Sequence, residues 1–286
     1  MAGPLIVGAR VVGRLALGAA QIFALYTICG WAVDIRMHAV RNYGRVIHEF
    51  DPWFNMRATQ YLYDNGWEKF ATWYDYKVWY PVGRPVGATI YPGMQVTAVA
   101  IHEAIRVMDN DVSASIFSAL GMPNHFHEIM TSETGSLNDV CVLMPAGFGA
   151  IACLLTFAFA NECTGSVNSG IAAAAVMSVL PAHLMRSVAG GFDNESIAVS
   201  AIVCCFYLWC RSLRTPDSWK IFGPLCGLSY FFMVATWGGY IMVLNLIAVH
   251  AAFTVAIGRY SSSLHRAYSL FFIIGIIKFN WLVNTT

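Results

Sequence analysis

The sequence predicts an all-α protein that crosses a membrane several times. Of its 286 residues, 57% are hydrophobic and 12% are charged, and the mean hydropathy is +0.56. A soluble domain carries about 25% charged residues, so this composition excludes a water-soluble globule of this size. The same hydrophobicity excludes a disordered chain. The net charge of +1 gives no electrostatic attraction for nucleic acid.

The apolar runs predict about seven membrane-spanning helices. The first run, Leu15–Val33, follows Arg10 and Arg14 and exceeds the about 7–15 residues of a signal-peptide core, so we predict an uncleaved anchor. The later runs are Val140–Ala160, Gly170–Met185, Ile197–Trp209, Ile221–Trp237, Ile241–Ile257 and Tyr268–Val283.

The segment Ile90–Val107 is apolar but is not predicted to span. It contains Gln95, His102, Glu103 and Arg106, whereas a span needs about 20 predominantly apolar residues. A charge at the bilayer centre costs at least about 2.5 kcal/mol. We therefore predict an amphipathic helix that lies on the membrane surface.

The distribution of basic residues supports this topology. With the N-terminus in the cytoplasm, the cytoplasmic side holds Arg10, Arg14, Arg211, Arg214, Lys220, Arg259 and Arg266. The short loops on the other side hold only Arg186, and the long aromatic-rich loop Arg36–Leu137 is exempt from the positive-inside rule. If Ile90–Val107 crossed the membrane, every later loop would lie on the opposite side. The basic residues of those loops would then be concentrated on the non-cytoplasmic side, against the positive-inside rule.

Two acidic segments then share the non-cytoplasmic face: Glu49–Asn55 and Arg186–Glu195. In an extended backbone, Asp193 and Glu195 would point to the same side about 6.5–7 Å apart. Their carboxylates, with that of Asp51, would suit a hard divalent cation such as Mg²⁺ or Mn²⁺. The alternative is structural, because an Asp is a common helix N-cap and Asp-Pro a common turn opening.

Two other residues have both a structural and a functional interpretation. Arg186 either extends to lipid headgroups or orients a carboxylate or phosphate. Trp237 belongs to a turn that is either an aromatic-belt hairpin or a platform that touches substrate. The eight cysteines are interpreted as small buried hydrophobes, since they form no CxxC pair.

Four motifs resemble those of one enzyme family, the catalytic subunit of eukaryotic oligosaccharyltransferase. They are HEFDPWFNMRAT (His48–Thr59), WYPVGRPVGATIYPG (Trp79–Gly93), MRSVAGGFDNE (Met185–Glu195) and TWGGY (Thr236–Tyr240). That enzyme is an integral membrane glycosyltransferase of the class C fold. The resemblance therefore implies a partial class C fold, with 36–137 as a large lumenal first external loop that carries surface helices.

The resemblance also implies a reaction and a set of site residues. The reaction is the en bloc transfer of an oligosaccharide from a dolichyl-pyrophosphate donor to Asn in Asn-x-Ser/Thr of a nascent polypeptide, at the lumenal face of the endoplasmic reticulum membrane. Asp51, Asp193 and Glu195 would bind Mn²⁺ or Mg²⁺, and Asp51 would also hold the acceptor amide. Arg186 would be needed for activity, and Trp237 would lie near the lipid-linked donor. Other oligosaccharyltransferase subunits are implied as partners.

Members of that family are much longer than 286 residues. We expect 1–286 to be their N-terminal transmembrane region, without the C-terminal lumenal domain that reads the sequon, and to be inactive alone. The alternatives are another class C transferase that uses a dolichyl-phosphate sugar, a non-catalytic truncated remnant, and a transporter or channel. A transporter or channel needs ionisable residues inside its spans. The predicted spans are almost free of charged residues, with Lys278 as the exception, which disfavours this alternative.

Overall fold

A computed structural model describes residues 4–107 and 136–284, and within these ranges the regular structure is helical. The only β-type pairing described is an isolated antiparallel bridge between Asp75 and Arg84. The helices are α1 Pro4–Arg36, α2 His38–Tyr43, α3 Phe50–Ala71, α4 Val86–Thr89, α5 Gly93–Val107, α6 Leu137–Thr164, α7 Val167–Val179, α8 Pro181–Leu184, α9 Asn194–Ser212, α10 Trp219–Thr236, α11 Tyr240–Ala256 and α12 Ser262–Asn284.

The helices confirm the all-α membrane fold class. Val12–Arg36, Leu137–Thr164 and Asn194–Ser212 are long and apolar enough to cross a membrane, by length and composition. Val167–Val179 and Tyr240–Ala256 are shorter apolar helices. The total of about seven spans stays a prediction.

The continuous span predicted over Gly170–Met185 is wrong, because the chain breaks at Leu180. Helix α7 ends at Val179, and α8 is a separate short helix with Pro181 at its start. Leu180 has φ −59° and ψ 116°, outside the helical region. A residue before proline is pushed out of the helical region by the proline ring, so Pro181 explains the break.

The long helices alternate in direction, so the bundle has two ends. At one end, Arg211 and Arg214 both pair with Glu162, the latter at 3.0 Å. At the other end, which we call the site end, the Ala189 N–H donates to the Arg36 carbonyl at 2.9 Å. This arrangement brings the loop between α8 and α9 to the site end together with the last turn of α1.

The segment between α1 and α6 folds over the site end. Helices α3 and α5 pack on each other and on α6, with Ile47, Met94 and Phe192 in one fully buried cluster. The helix predicted to begin at Ile90 begins at Gly93. The stretch Asn110–Leu137 is longer than the family resemblance leads us to expect, and it lies almost entirely outside the described residues.

Asp75, which lies in an aromatic stretch of this segment, has a structural role. Its carboxylate is 3% exposed and accepts two hydrogen bonds from the Arg57 guanidinium, at 2.6 and 3.0 Å. The pKa of Asp75 is lowered, chiefly by this hydrogen bonding to Arg57. The pair fixes the loop after α3 to that helix, beside the stacked rings of Tyr61 and Trp73.

All eight cysteines are free in this structure. Cys141, Cys153, Cys205 and Cys226 are buried, but Cys163 is exposed, so the interpretation as buried hydrophobes holds for only part of the set.

Candidate active site

The two acidic segments meet at the site end through a chain of buried amides. The Asn55 side chain, in the second turn of α3, donates to the Phe192 carbonyl at 3.1 Å. The Gln95 side-chain amide of α5 donates in turn to the side-chain oxygen Oδ1 of Asn55 at 3.2 Å. Buried amides require partners, so these bonds hold the start of α3 against the residue that precedes Asp193.

The loop that leads to Asp193 is held by its backbone. The Gly190 N–H donates to the Val142 carbonyl at 2.8 Å, and the Gly190 carbonyl accepts from the His48 N–H at 3.2 Å. Gly190 has φ +91°, and a Cβ there would lie 2.5 Å from the Val46 carbonyl oxygen. Only glycine fits this position, which explains the glycine in the second acidic segment.

Asp193 and Glu195 lie side by side, but not in the extended segment predicted for both. Asp193 is extended, with φ −122° and ψ 152°, and its carboxylate accepts from the Asn194 N–H at 2.8 Å as the N-cap of α9. Glu195 is in the first turn of α9. The capping interpretation is therefore correct for the backbone, and the two carboxyl groups are still in contact.

The electrostatics of Asp193 show that the carboxyl groups crowd one another. Burial, then the neighbouring Glu195 and Asp51, raise the pKa of Asp193 to about 6. Burial and like charge both disfavour ionisation, and a cation would relieve both. The donor set is therefore chemically suited to a hard divalent ion.

The described residues contain no preformed group of three or more His, Cys, Asp or Glu side chains arranged as a metal site. Asp51 lies in the first turn of α3 and is exposed, whereas Asp193 and Glu195 are half-buried. The structure thus brings Asp193 and Glu195 into contact and places Asp51 within electrostatic range of Asp193. The three-ligand set stays a prediction.

Arg186 lies at the edge of the acidic pair. Its guanidinium is 3.5 Å from Asp193 Oδ2, and its side chain is 57% exposed. An exposed pair at this distance contributes little to stability. Most donors of Arg186 remain available to an anion that approaches from solvent or from the membrane surface.

Trp237 follows directly after α10 and is connected to the acidic pair. The Asn194 side chain donates to the Thr236 carbonyl at 2.6 Å, which joins α9 to the end of α10. The Trp237 ring lies against Gly239, and a side chain at 239 would overlap the indole. Tyr91 packs on Gly238 in the same turn. The turn is therefore shaped by contacts within the protein, with the indole half-buried.

An open groove of about 880 Å³ begins at Asp51. Its aromatic lining residues are Phe50, Trp53, Phe54, Tyr61, Trp73 and Trp79. The Arg84 guanidinium also lines it, 4.9 Å from the Phe54 ring centre and 5.1 Å from that of Trp79. The same arginine lies near enough to Asp51 for their charges to interact.

Comparison with known proteins identifies the family. The model described as "Oligosaccharyl transferase STT3, N-terminal" matches residues 20–285. The chain belongs to the STT3 family. Curated relatives include the dolichyl-diphosphooligosaccharide–protein glycosyltransferase subunits STT3 of Dictyostelium discoideum and Saccharomyces cerevisiae, each 37% identical over 90% of this chain. The matches span 32% of each relative, so the chain has about a third of their length.

Solved structures share the fold of this STT3 chain. The Archaeoglobus fulgidus oligosaccharyltransferase AglB, in complex with an inhibitory peptide and a dolichol-phosphate, superposes with a TM-score of 0.65 at 17% identity, over 91% of this chain and 29% of that one. Its apo form gives a TM-score of 0.66. Membership of the STT3 family separates this chain from transporters and from transferases of other families.

Sequence reasoning missed four residues that shape the site of this STT3 chain. Asn55, Gln95 and Asn194 connect the motifs, and Arg84 lies beside Asp51. Each of the four lies within or next to a motif, so an unexplained amide or arginine inside a motif was the available signal. Their partners lie far away in the sequence and could not be predicted.

Proposed function

We propose that this chain supplies the divalent-cation and acceptor-amide side of an oligosaccharyltransferase active site. The reaction is the transfer of an oligosaccharide, en bloc, from a dolichyl-pyrophosphate donor to Asn in an Asn-x-Ser/Thr sequon. The observation that carries the proposal is the meeting of the two acidic segments, where partial burial, then Glu195 and Asp51, raise the pKa of the half-buried Asp193. Two carboxyl groups that both disfavour ionisation of a third, at one end of the bundle, favour a cation-binding role over helix capping alone.

In this proposal Asp51 accepts a hydrogen bond from the N–H of the acceptor amide. An amide nitrogen is a poor nucleophile because its lone pair is delocalised into the carbonyl. A carboxylate that holds one N–H helps to turn the nitrogen out of conjugation and frees that lone pair for attack on the sugar. The exposed position of Asp51 at the mouth of the groove makes it accessible to a polypeptide.

Asp193 and Glu195, with Asp51, are the residues that would hold Mn²⁺ or Mg²⁺. The bound ion would stabilise the negative charge that builds up on the pyrophosphate leaving group. Arg186, with its available donors, would bind the same phosphate oxygens and act together with the carboxylates as a catalytic residue. Its present contact with Asp193 keeps it within reach of that position.

The names of the relatives support a proposal for the partners and the location. Their name specifies a dolichyl-diphosphooligosaccharide donor and a subunit of a larger enzyme, and the AglB complex contains a peptide and a dolichol-phosphate. We propose a multi-pass protein of the endoplasmic reticulum membrane with the site end in the lumen. Trp237 would then lie near the lipid-linked donor, and other oligosaccharyltransferase subunits would be partners.

A chimeric enzyme tests the proposal. Residues 20–285 of this chain would replace the matching segment of the S. cerevisiae subunit, which is 37% identical. We expect the chimera to glycosylate a secreted reporter, and Asp51→Asn and Asp193→Asn to lose most of this activity. Removal of divalent cations with EDTA should have the same effect, and Mn²⁺ should restore activity.

The matched control is Glu68→Gln, which changes an exposed carboxylate of the same helix as Asp51. It should leave glycosylation unchanged. An active chimera that tolerates Asp193→Asn, or that is insensitive to EDTA, would contradict the proposed role of the acidic pair. An assembled but inactive chimera would favour a non-catalytic chain.

A further inference from the structure

Arg36, the last residue of α1, is a fully buried cation with no carboxylate partner among the described residues. Its side chain is 0% exposed. Its Nε donates to Ser187 Oγ at 2.8 Å, and its Nη1 donates to the carbonyls of Ala32 at 2.8 Å and Ser178 at 3.0 Å. Within the described ranges, Nη2 has no partner. A buried charge is costly to maintain, so this arrangement needs a reason.

The partners of Arg36 explain how the charge is tolerated. Ser178 lies in the last turn of α7, where carbonyl groups have no partner within their helix and the helix dipole is negative. The guanidinium therefore takes the place of a C-terminal cap for α7. The chain breaks immediately after this turn, at Leu180, so the cap fixes the point at which the polypeptide leaves the helix.

The same arginine holds the segment that leads to the acidic pair. Ser187 Oγ accepts from Arg36 and donates to the His183 carbonyl at 2.6 Å, which connects α8 to the loop. The Arg36 carbonyl accepts from the Ala189 N–H at 2.9 Å. The side chain of Arg36 thus binds Ser187 and its backbone carbonyl binds Ala189, which are two positions of the segment between Arg186 and Asp193.

Helix α6 provides the space for this arginine. Gly149 lies directly against the guanidinium, and a Cβ at this position would overlap Arg36 Nε and Cδ. A Cβ added at Gly147, on the same helix, would meet no described atom within 4 Å. Of these two glycines, only Gly149 must lack a side chain to leave room for Arg36.

We propose that Arg36 is a positioning residue for the acidic pair, and that it sets the cation affinity of Asp193 and Glu195 without touching the cation. This inference rests on the proposed cation-binding function. Loss of a group that hydrogen-bonds directly to a metal ligand typically weakens metal affinity about 10–100-fold. Arg36 acts on the ligands through Ser187 and Ala189, so we expect its displacement to weaken Mn²⁺ binding by the lower end of this range, about tenfold.

The test displaces the arginine from another helix. Gly149→Ala and its control Gly147→Ala are made in the chimeric enzyme, where both substitutions favour helix formation. Mn²⁺ binding is measured by electron paramagnetic resonance, and amide hydrogen exchange is measured for residues 186–193. Gly149→Ala should weaken Mn²⁺ binding about tenfold and speed exchange in that segment, whereas Gly147→Ala should change neither.

A second pair of variants covers the case in which Gly149→Ala does not fold. Ser187→Ala removes a hydroxyl that Arg36 contacts, and Ser178→Ala removes one that it does not, since Ser178 Oγ donates to Ala175 and only its carbonyl meets the arginine. Ser187→Ala should reproduce both effects, and Ser178→Ala neither. Unchanged Mn²⁺ affinity and exchange in folded Gly149→Ala and Ser187→Ala would overturn the inference.

Asp193→Asn separates this inference from the proposed function. If this variant bound Mn²⁺ as well as the parent, the cation-binding function would be wrong, and with it the claim that Arg36 sets cation affinity. Faster amide hydrogen exchange of residues 186–193 in Gly149→Ala would then still support the conclusion that Arg36 stabilises this segment.

Discussion

Replacement of Asn55 by leucine should destabilise the site end more than its size suggests. Asn55 is 4% exposed and makes two hydrogen bonds, to the Phe192 carbonyl and from the Gln95 amide. Asn55→Leu removes both bonds while it preserves the approximate volume. The Phe192 carbonyl and the Gln95 amide are then left buried without partners, and among the described atoms Gln95 Oε1 already has none.

The magnitude follows from the two orphaned groups. Each buried polar group that loses its partner costs about 1–3 kcal/mol, so the two groups together should lower the unfolding free energy by about 2–6 kcal/mol. For a chain of this size that corresponds to a fall of roughly 4–24 °C in the unfolding midpoint. A thiol-reactive fluorescent dye in detergent can report this, because four of the cysteines are buried and become reactive on unfolding.

Asn65→Leu is the matched control on the same helix. Asn65 donates only to the Tyr61 carbonyl of its own turn, at 3.2 Å, and is half-buried. Its loss should change stability by about 0.5 kcal/mol or less. If Asn55→Leu and Asn65→Leu had the same unfolding midpoint, Asn55 would not be the residue that holds the two acidic segments together.

Other contacts lead to three more predictions. Gly190→Ala should abolish or strongly reduce folding, because its Cβ would strike a backbone carbonyl, whereas Gly165→Ala, at φ +68° with nothing within 4 Å, should cost only about 1 kcal/mol of strain in a thermal melt. Arg57 lowers the pKa of Asp75, so the ionised carboxylate of Asp75 stabilises the fold at pH values above its unfolded pKa, and this stabilisation is lost as the pH falls below about 4. In a plot of unfolding midpoint against pH, Arg57→Gln should therefore reduce the fall of the midpoint at acidic pH. A glycosylation tag placed at Gly121 should be modified in microsomes, and an unmodified tag would contradict a lumenal first external loop.

The sequence predicted the helices where hydropathy alone decides them. Leu137–Thr164 contains the predicted Val140–Ala160 and extends it by a few residues at each end. The break at Leu180 was missed because an apolar run continues through it, and a window of hydropathy does not register the missing N–H of Pro181.

The site was predicted less completely than the helices. The motif residues Asp51, Asp193 and Glu195 could be chosen from charge and topology, and the structure places them at one end of the bundle. The bond from Asn55 to Phe192 joins residues 137 positions apart, and no local pattern encodes such a partner. Nor does sequence show that Asp193 caps α9 while it also faces Glu195.

The early end of α7 has a consequence for the backbone that follows it. A helix of 13 residues rises about 20 Å, less than the hydrocarbon thickness of about 30 Å, so α7 alone is too short to cross a bilayer. Non-helical backbone inside a membrane is tolerated only when protein groups satisfy its hydrogen bonds. Here the carbonyls of Arg36 and Val142 accept from the N–H groups of Ala189 and Gly190. The segment that leads to Asp193 thus obtains these two hydrogen bonds from the protein and does not depend on water for them.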